Sequence, residues 1–165
     1  MVNKSMQDAV NEQIKHEFNS AYLYLSMSAF CGSINLPGFA KWLRVQWGEE
    51  QSHAMRLFDY LYVRGGRVVL QAIDRPPAEF KSPLEIFQQV LTHEQKVTSL
   101  INKLYDLAFK ENDYAAQVEL QWFIKEQVEE EKNATDIVEQ LRMIGDNTSA
   151  LMMLDRQLSV RGAAE

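Results

Sequence analysis

The sequence predicts an all-α protein, a four-helix bundle with one long crossover and a short fifth helix at the C-terminal end. Three observations carry this. Glycine and proline number only 7 and 4 in 165 residues, so little interrupts helix. Apolar residues recur at three- and four-residue spacing over four long stretches, and no alternating strand pattern competes. One link between those stretches, "GGRVVLQAIDRPPAEFKS", is far longer than the others and contains Pro76 and Pro77, which bar helix there.

The first stretch, "SMQDAVNEQIKHEFNSAYLYLSMSAFCGS", has apolar residues at Met6, Val10, Ile14, Phe18 and Leu25 and from Met27 through to Phe30. Ser5 and Asp8 read as an S-x-x-D start signal. The second stretch begins near residue 37 and ends in the glycine pair Gly65-Gly66, which suits a helix stop. Ser82 followed by Pro83 opens the third, a serine cap before a proline at the first helical position. The fourth opens after Asp113 and stops near Gly145, and "TSALMMLDRQLSV" makes the short fifth helix. The crossover of roughly 18 residues can reach about 55–60 Å. A helix of about 28 residues is only about 42 Å long. The crossover can therefore span the bundle and set helices two and three parallel, the topology of ferritin-like proteins. One domain over residues 1–165 is expected.

The net charge of −6 argues against a nucleic-acid binder, which needs a basic stripe. No apolar run approaches the length of about 18 residues that a membrane span needs. The N-terminal stretch lacks a secretory pattern, and the single Cys31 forms no internal disulfide or CxxC metal knuckle. A cytoplasmic protein with no nucleic-acid and no membrane partner is expected.

An internal repeat locates a site. Shifting the second half by 77 positions lays His93-Glu94 on His16-Glu17, and "EQVEE" at 126–130 on "EEQSH" at 49–53. Glu17 and Glu50 are separated by 33 positions, as are Glu94 and Gln127. Each of these four residues stands about 18 Å along its predicted helix, so the crossover topology sets all four at one height. His53 follows Glu50 by three positions and Glu130 follows Gln127 by three, so each pair shares a helix face. Glu17, Glu50, His53, Glu94, Gln127 and Glu130 thus converge if those faces point inward. Several carboxylates in one core cannot all stay ionised alone, since each costs several kcal/mol to desolvate. Either some are protonated or cations sit among them. Paired glutamates with an E-x-x-H are how such bundles hold two metals, and a mostly oxygen donor set with one imidazole suits iron or manganese better than structural zinc.

Over its whole length the chain resembles a ferritin of the haem-free prokaryotic kind. The matching stretches are "EFNSAYLYLSMS", "EEQSHAMRLFDYL", "GGRVVLQAIDRPP", "LQWFIKEQVEEE" and "LDRQLS". The resemblance implies iron storage and detoxification by a cage of twenty-four subunits that oxidises Fe(II) with dioxygen or peroxide and keeps the ferric mineral inside. It implies that Glu17, Glu50 and His53 hold a first iron, and that Glu50 bridges to a second held also by Glu94 and Glu130. Gln127 would stand beside the pair, and Tyr24 would hydrogen-bond Glu94 and supply one electron. Glu49, Glu126, Glu129 and Glu130 resemble the third iron site of bacterial ferritins. That assignment accounts for most of the acid run "KEQVEEEKNA", leaving Glu131 solvated. Bacterioferritins carry a second E-x-x-H and a haem-ligating methionine one residue after the first bridging glutamate. Here Gln127, Glu130 and Gln51 stand at those positions, so no haem is expected. Animal heavy chains lack an acid at the position of Glu130.

Other residues have plainer readings. His16 and His93 neighbour the site residues but point about 100° away on their helices, and are expected to be structural. Trp122 is either a packed core aromatic or an electron donor, the seven methionines are core filler, and Cys31 has no expected role. Rival functions are a di-iron oxygenase or peroxidase with an organic substrate, and a DNA-protecting cage. The first would need a substrate pocket, and in its rubrerythrin-like form paired cysteines; the second commonly has a basic tail, unlike "MVNKSMQDAVNEQ".

Overall fold

Asn3 starts the first helix, its side chain accepting the Met6 N–H at 2.8 Å. The expected Ser5 start is therefore two residues late. Asp8 pairs with Lys4 (Nζ–Oδ2 2.8 Å), one turn earlier on the same helix, and caps nothing. In a computed structural model describing residues 1–162, the elements are α1 (Lys4–Ser33), α2 (Pro37–Val63), α3 (Pro83–Lys110), α4 (Tyr114–Ile144) and α5 (Thr148–Leu158). No strand occurs among the described residues. Ser82 caps α3 and Asp113 caps α4 through their side chains, as the sequence suggests.

The crossover fixes the topology. The Arg67 amide donates to Gln7 Oε1 (2.8 Å), and its carbonyl accepts from Asn11 Nδ2 (3.0 Å). Val69 then donates to Asn11 Oδ1, Asp74 to Asn19 Oδ1, and the Pro77 carbonyl accepts from Ser26 Oγ. As the crossover advances, its partners advance along α1 in the same direction. Polar side chains on one face of α1 thereby satisfy an extended backbone that has no strand partner. Val2 lies against Arg64 (N···O 3.0 Å), so α2 ends where α1 begins, and Phe80 meets Phe30 near the far end of α1. Helices α2 and α3 therefore run parallel, as the crossover length predicts.

The repeat extends into the turns. Among the described residues Asn35 and Asn112 are the two non-glycine residues with positive φ, at 61° and 52°. They are related by the same 77-position offset. Asparagine tolerates this left-handed region better than other side chains. Leu36 N donates to Cys31 O at 3.0 Å, and its counterpart Asp113 N donates to Ala108 O at 2.9 Å. The two helical hairpins close with the same hydrogen bond.

Apolar packing falls into two clusters. One gathers Tyr24, Met27, Phe39, Trp42, Leu43, Phe87 and Ile137, with Leu154 and Leu158 of α5 over it. The other gathers Met6, Val10, Ile14, Leu57, Leu61, Ile101 and Phe123. In each long helix the gap between the clusters holds the site residues: Glu17, then Glu50 and His53, then Glu94, then Gln127 and Glu130.

Helix α5 caps α2 from outside. Leu36, at the N-cap of α2, has no side chain to offer the helix N-terminus. Buried Asp155 of α5 instead accepts the Phe39 N–H at 3.0 Å. Gly38 permits this approach, because a Cβ there would lie 1.6 Å from the Asp155 carbonyl oxygen. Gly38→Ala is expected to push α5 off its seat and cost about 2–3 kcal/mol or more. Urea unfolding at fixed protein concentration checks this, and an unchanged midpoint would refute it.

Candidate metal centre

Four helices deliver the central layer, and nearly all of it is buried. Glu17, Glu50 and Glu94 are 1%, 2% and 1% exposed, and His53, Gln127 and Glu130 are also buried. Glu17, Glu50 and His53 come together, with one ligand atom from each lying within 4.8 Å of the others. His53 Nδ1 stands 3.9 Å from Glu17 Oε2 and 3.8 Å from Glu50 Oε2. Those distances are too long for hydrogen bonds. Donors about 2.1 Å from a shared cation lie about 3–4 Å apart, so the gap matches an ion.

A second group joins His53 with Glu126 and Glu130. Glu94 belongs to neither compact group. Its carboxylate accepts from the Tyr24 hydroxyl and, at 3.1 Å, from Gln127 Nε2. The expected Tyr24–Glu94 contact is therefore present. Gln127 also donates to the Glu94 carbonyl (3.2 Å) and to Thr98 Oγ1 (3.3 Å). Glu129 is exposed, Glu126 is half-buried, and Glu49 turns to Arg161 at 2.5 Å.

Two glutamines escaped the sequence reading. Gln13 Nε2 donates to Glu17 Oε1 at 2.7 Å, and Gln46 Nε2 donates to Glu50 Oε1 at 3.2 Å and to Glu130 Oε2 at 2.8 Å. Each glutamine lies four positions before its glutamate, so Q-x-x-x-E at 13–17 and 46–50 was the available signal. Glu131 departs from expectation, since it accepts from Thr98 Oγ1 at 2.5 Å instead of standing free. Thr98, Gln127 and Glu131 line a cleft of about 350 Å³ between α3 and α4, next to the centre.

Burial dominates the electrostatics. It raises the Glu17 carboxyl to about 7, opposed by the Gln13 hydrogen bond, and the Glu130 carboxyl to about 8, with the Glu94 charge adding to the shift. Burial also lifts Glu50 well above the carboxylate range, reinforced by the charges of Glu94, Glu17 and Glu130. Glu94 is raised by burial and restrained by Tyr24 and Gln127. Burial, and secondarily Arg56, lowers His53 to about 4, so its imidazole is neutral at pH 7 and free to ligate. Burial thus favours protons on this layer, and a cation entering it would displace them.

The remaining residues keep structural surroundings. His93 lies 2.7 Å from Ser20 Oγ and packs edge-on to Tyr24, and His16 is half-buried beside Glu12. Trp122 meets the His53 ring edge-on at 5.3 Å and has Arg56 over its face at 4.1 Å. Cys31 is buried, which pushes its thiol to about 12.

A family model described as a ferritin-like domain matches residues 7–144. A bacterial non-heme ferritin of Staphylococcus saprophyticus is 41% identical over 165 residues, covering 100% of this chain and 99% of the relative. One from Bacteroides fragilis is 40% identical over 161 residues, covering 98% and 100%. Among solved structures, an open pore ferritin from Archaeoglobus fulgidus has 50% identity and a TM-score of 0.97, covering 98% of this chain and 99% of that one. A humanized archaeal ferritin has 48% identity and a TM-score of 0.98, with both chains covered in full (100%).

Proposed function

The chain belongs to the ferritin family, as a haem-free prokaryotic member that stores iron, and from that premise we propose how its residues do so. Residues 1–165 form one ferritin-like domain. Glu17, Glu50 and His53 bind one Fe(II), and Glu50, Glu94 and Glu130 bind a second. Glu49, Glu126, Glu129 and Glu130 take a third. The carrying observation is the buried Glu17–Glu50–His53 group within the acid layer between two apolar clusters.

Iron here is substrate and cargo. Each Fe(II) gives up one electron to dioxygen or hydrogen peroxide, and the carboxylates that hold it exchange their protons for cation charge. Gln13 and Gln46 fix the orientations of Glu17, Glu50 and Glu130. Gln127 and Tyr24 hold Glu94, and Tyr24 passes an electron to the pair. The 1–2% exposure of Glu17, Glu50 and Glu94 favours an ion and a diatomic or peroxide oxidant over an organic substrate. Ferric product then moves to acidic surfaces where oxide forms.

Storage requires a container, and we assign one built from copies of this chain, with 24 as the expected number. Tyr62 and Val63 at the end of α2, Phe109 at the end of α3, and Tyr114 and Val118 at the start of α4 are exposed large apolar groups at one end of the bundle. Such a concentration fits a subunit contact. Among the described residues no helix is long and apolar enough to cross a membrane, and the proposed setting is the cytoplasm.

Aerobic titration of metal-free protein with Fe(II), followed by sizing, tests the function. Hundreds of ferric ions are expected to co-elute with a very large particle. Retention of only two or three per chain would mean a di-iron enzyme without a closed store.

A further inference from the structure

Arg161 follows α5 in a tight turn, its amide donating to Leu158 O at 3.3 Å. Its guanidinium lies 4.1 Å above the Trp42 ring, and Nη2 reaches Glu49 Oε2 at 2.5 Å. Nη1 is shut off from solvent and has no hydrogen-bond partner among the described residues. The neighbouring Gly162 has φ of 70°, where a Cβ would come 2.9 Å from Val45 of α2, so the turn is pressed against the helix that carries Glu49. A cation is thus held by stacking and packing at the edge of the acid layer. The guanidinium also stabilises the charged forms of Glu130 and Glu94.

A second observation shows that the layer still lacks positive or donating groups. Gln46 is fully buried at 0% exposure, lies between Glu50 and Glu130, and has a carbonyl oxygen with no donor among the described residues. Arg161 gives its hydrogen bond there to Glu49 and acts on Glu130 and Glu94 only through its charge. A metal ion bound by Glu49, Glu126, Glu129 and Glu130 would share the Glu49 carboxylate with the guanidinium already on its Oε2, and the two positive charges repel.

We propose that Arg161 is a tethered counter-ion that competes with the third iron for Glu49, and so weakens the third site relative to the first. Its role rests on the third-site assignment made above. The competition is reciprocal: whatever holds Arg161 on Trp42 and Glu49 opposes the ion, and the ion releases Arg161. Arginine suits this place because its flat fork can stack on an indole while binding a carboxylate, which a lysine ammonium cannot do equally well.

The test is calorimetric titration of the metal-free protein with Zn²⁺, which involves no redox step, for wild type, Arg161→Gln, Arg161→Lys and Arg161→Gln/Glu49→Gln. Arg161→Gln is expected to tighten the third ion by about fivefold or more. The first ion should stay within about twofold, because Arg161 contacts none of Glu17, Glu50 and His53. Arg161→Lys, which keeps the charge and the packed turn, should fall between, and the double variant should lose the gain. A merely structural role for Arg161 would loosen α5 without tightening any ion. A third ion that binds wild type and Arg161→Gln equally overturns the competition alone. A third ion absent from both overturns the third-site assignment and the competition with it.

Discussion

Alanine at Glu50 or at His53 is expected to abolish rapid Fe(II) oxidation, slowing it by at least about 100-fold, while the helical circular-dichroism spectrum is retained. Glu50 is the most central acid of the layer, the one whose ionisation is opposed by the charges of Glu94, Glu17 and Glu130 together. It also lies 3.8 Å from His53 Nδ1, and it is the only carboxylate proposed to touch both ions of the pair. Removing it therefore breaks both sites at once. His53 supplies the single imidazole of the layer, neutral at working pH, and its ring is fixed by the edges of Trp122 and Phe123. Neither residue closes a helix end or bridges the two hairpins through a hydrogen bond, so the fold survives. In the metal-free protein Glu50→Ala even removes a buried group that resists ionisation. Stopped-flow absorbance of ferric product is the readout, and rapid oxidation at the normal rate in both variants would sink the assignment.

That Glu17, Glu50, His53, Glu94, Gln127 and Glu130 share one buried layer was legible in the sequence because the chain repeats itself. The 77-position offset aligned Glu17 with Glu94 and His53 with Glu130, and the structure carries the same offset into the turns at Asn35 and Asn112. Spacing along helices is a one-dimensional quantity, and two antiparallel hairpins joined by a full-length crossover convert it directly into height. What the spacing could not show is where the two halves differ. Gln46 corresponds to Phe123, and Tyr24 to Ile101, so the groups holding the carboxylates are not repeated and have no internal echo. Gln13 and Gln46 hold Glu17, Glu50 and Glu130, whereas Tyr24 and Gln127 hold Glu94. Contacts made across distant segments were equally hidden. Asp155 serves the N-terminus of α2, and Arg161 reaches Glu49 across 112 positions, because α5 folds back onto α2, a docking that no helical period encodes.

The metal-free protein is expected to lose stability as pH rises through the layer's titration range, and Glu130→Gln is expected to remove part of that loss. Glu130 is the clearest probe, since burial raises its carboxyl from 4.5 to about 8, with Glu94 adding and Gln46 opposing. The folded value lies above the unfolded one, so the sign is fixed. Below the unfolded value both states hold the proton, and Glu130 does not penalise folding. Between about 4.5 and 8 only the folded state holds it, so each pH unit costs the folded state about 1.4 kcal/mol. A glutamine at this position keeps a carbonyl oxygen for the Gln46 amide and never ionises. The stability of Glu130→Gln relative to wild type should therefore grow by about 2–3 kcal/mol from about pH 5.5 to about pH 7.5. Glu17→Gln should behave alike over a narrower window, because its carboxyl is raised only to about 7. A redox-inert divalent cation is expected to reverse the order, because the wild-type layer offers it one more carboxylate than either variant, and the ion bound more tightly stabilises the folded state more by mass action. Urea unfolding at one protein concentration, with and without Zn²⁺, is the measurement. A difference between variant and wild type that stays flat across that pH range would show that the buried acids do not hold protons in the metal-free layer.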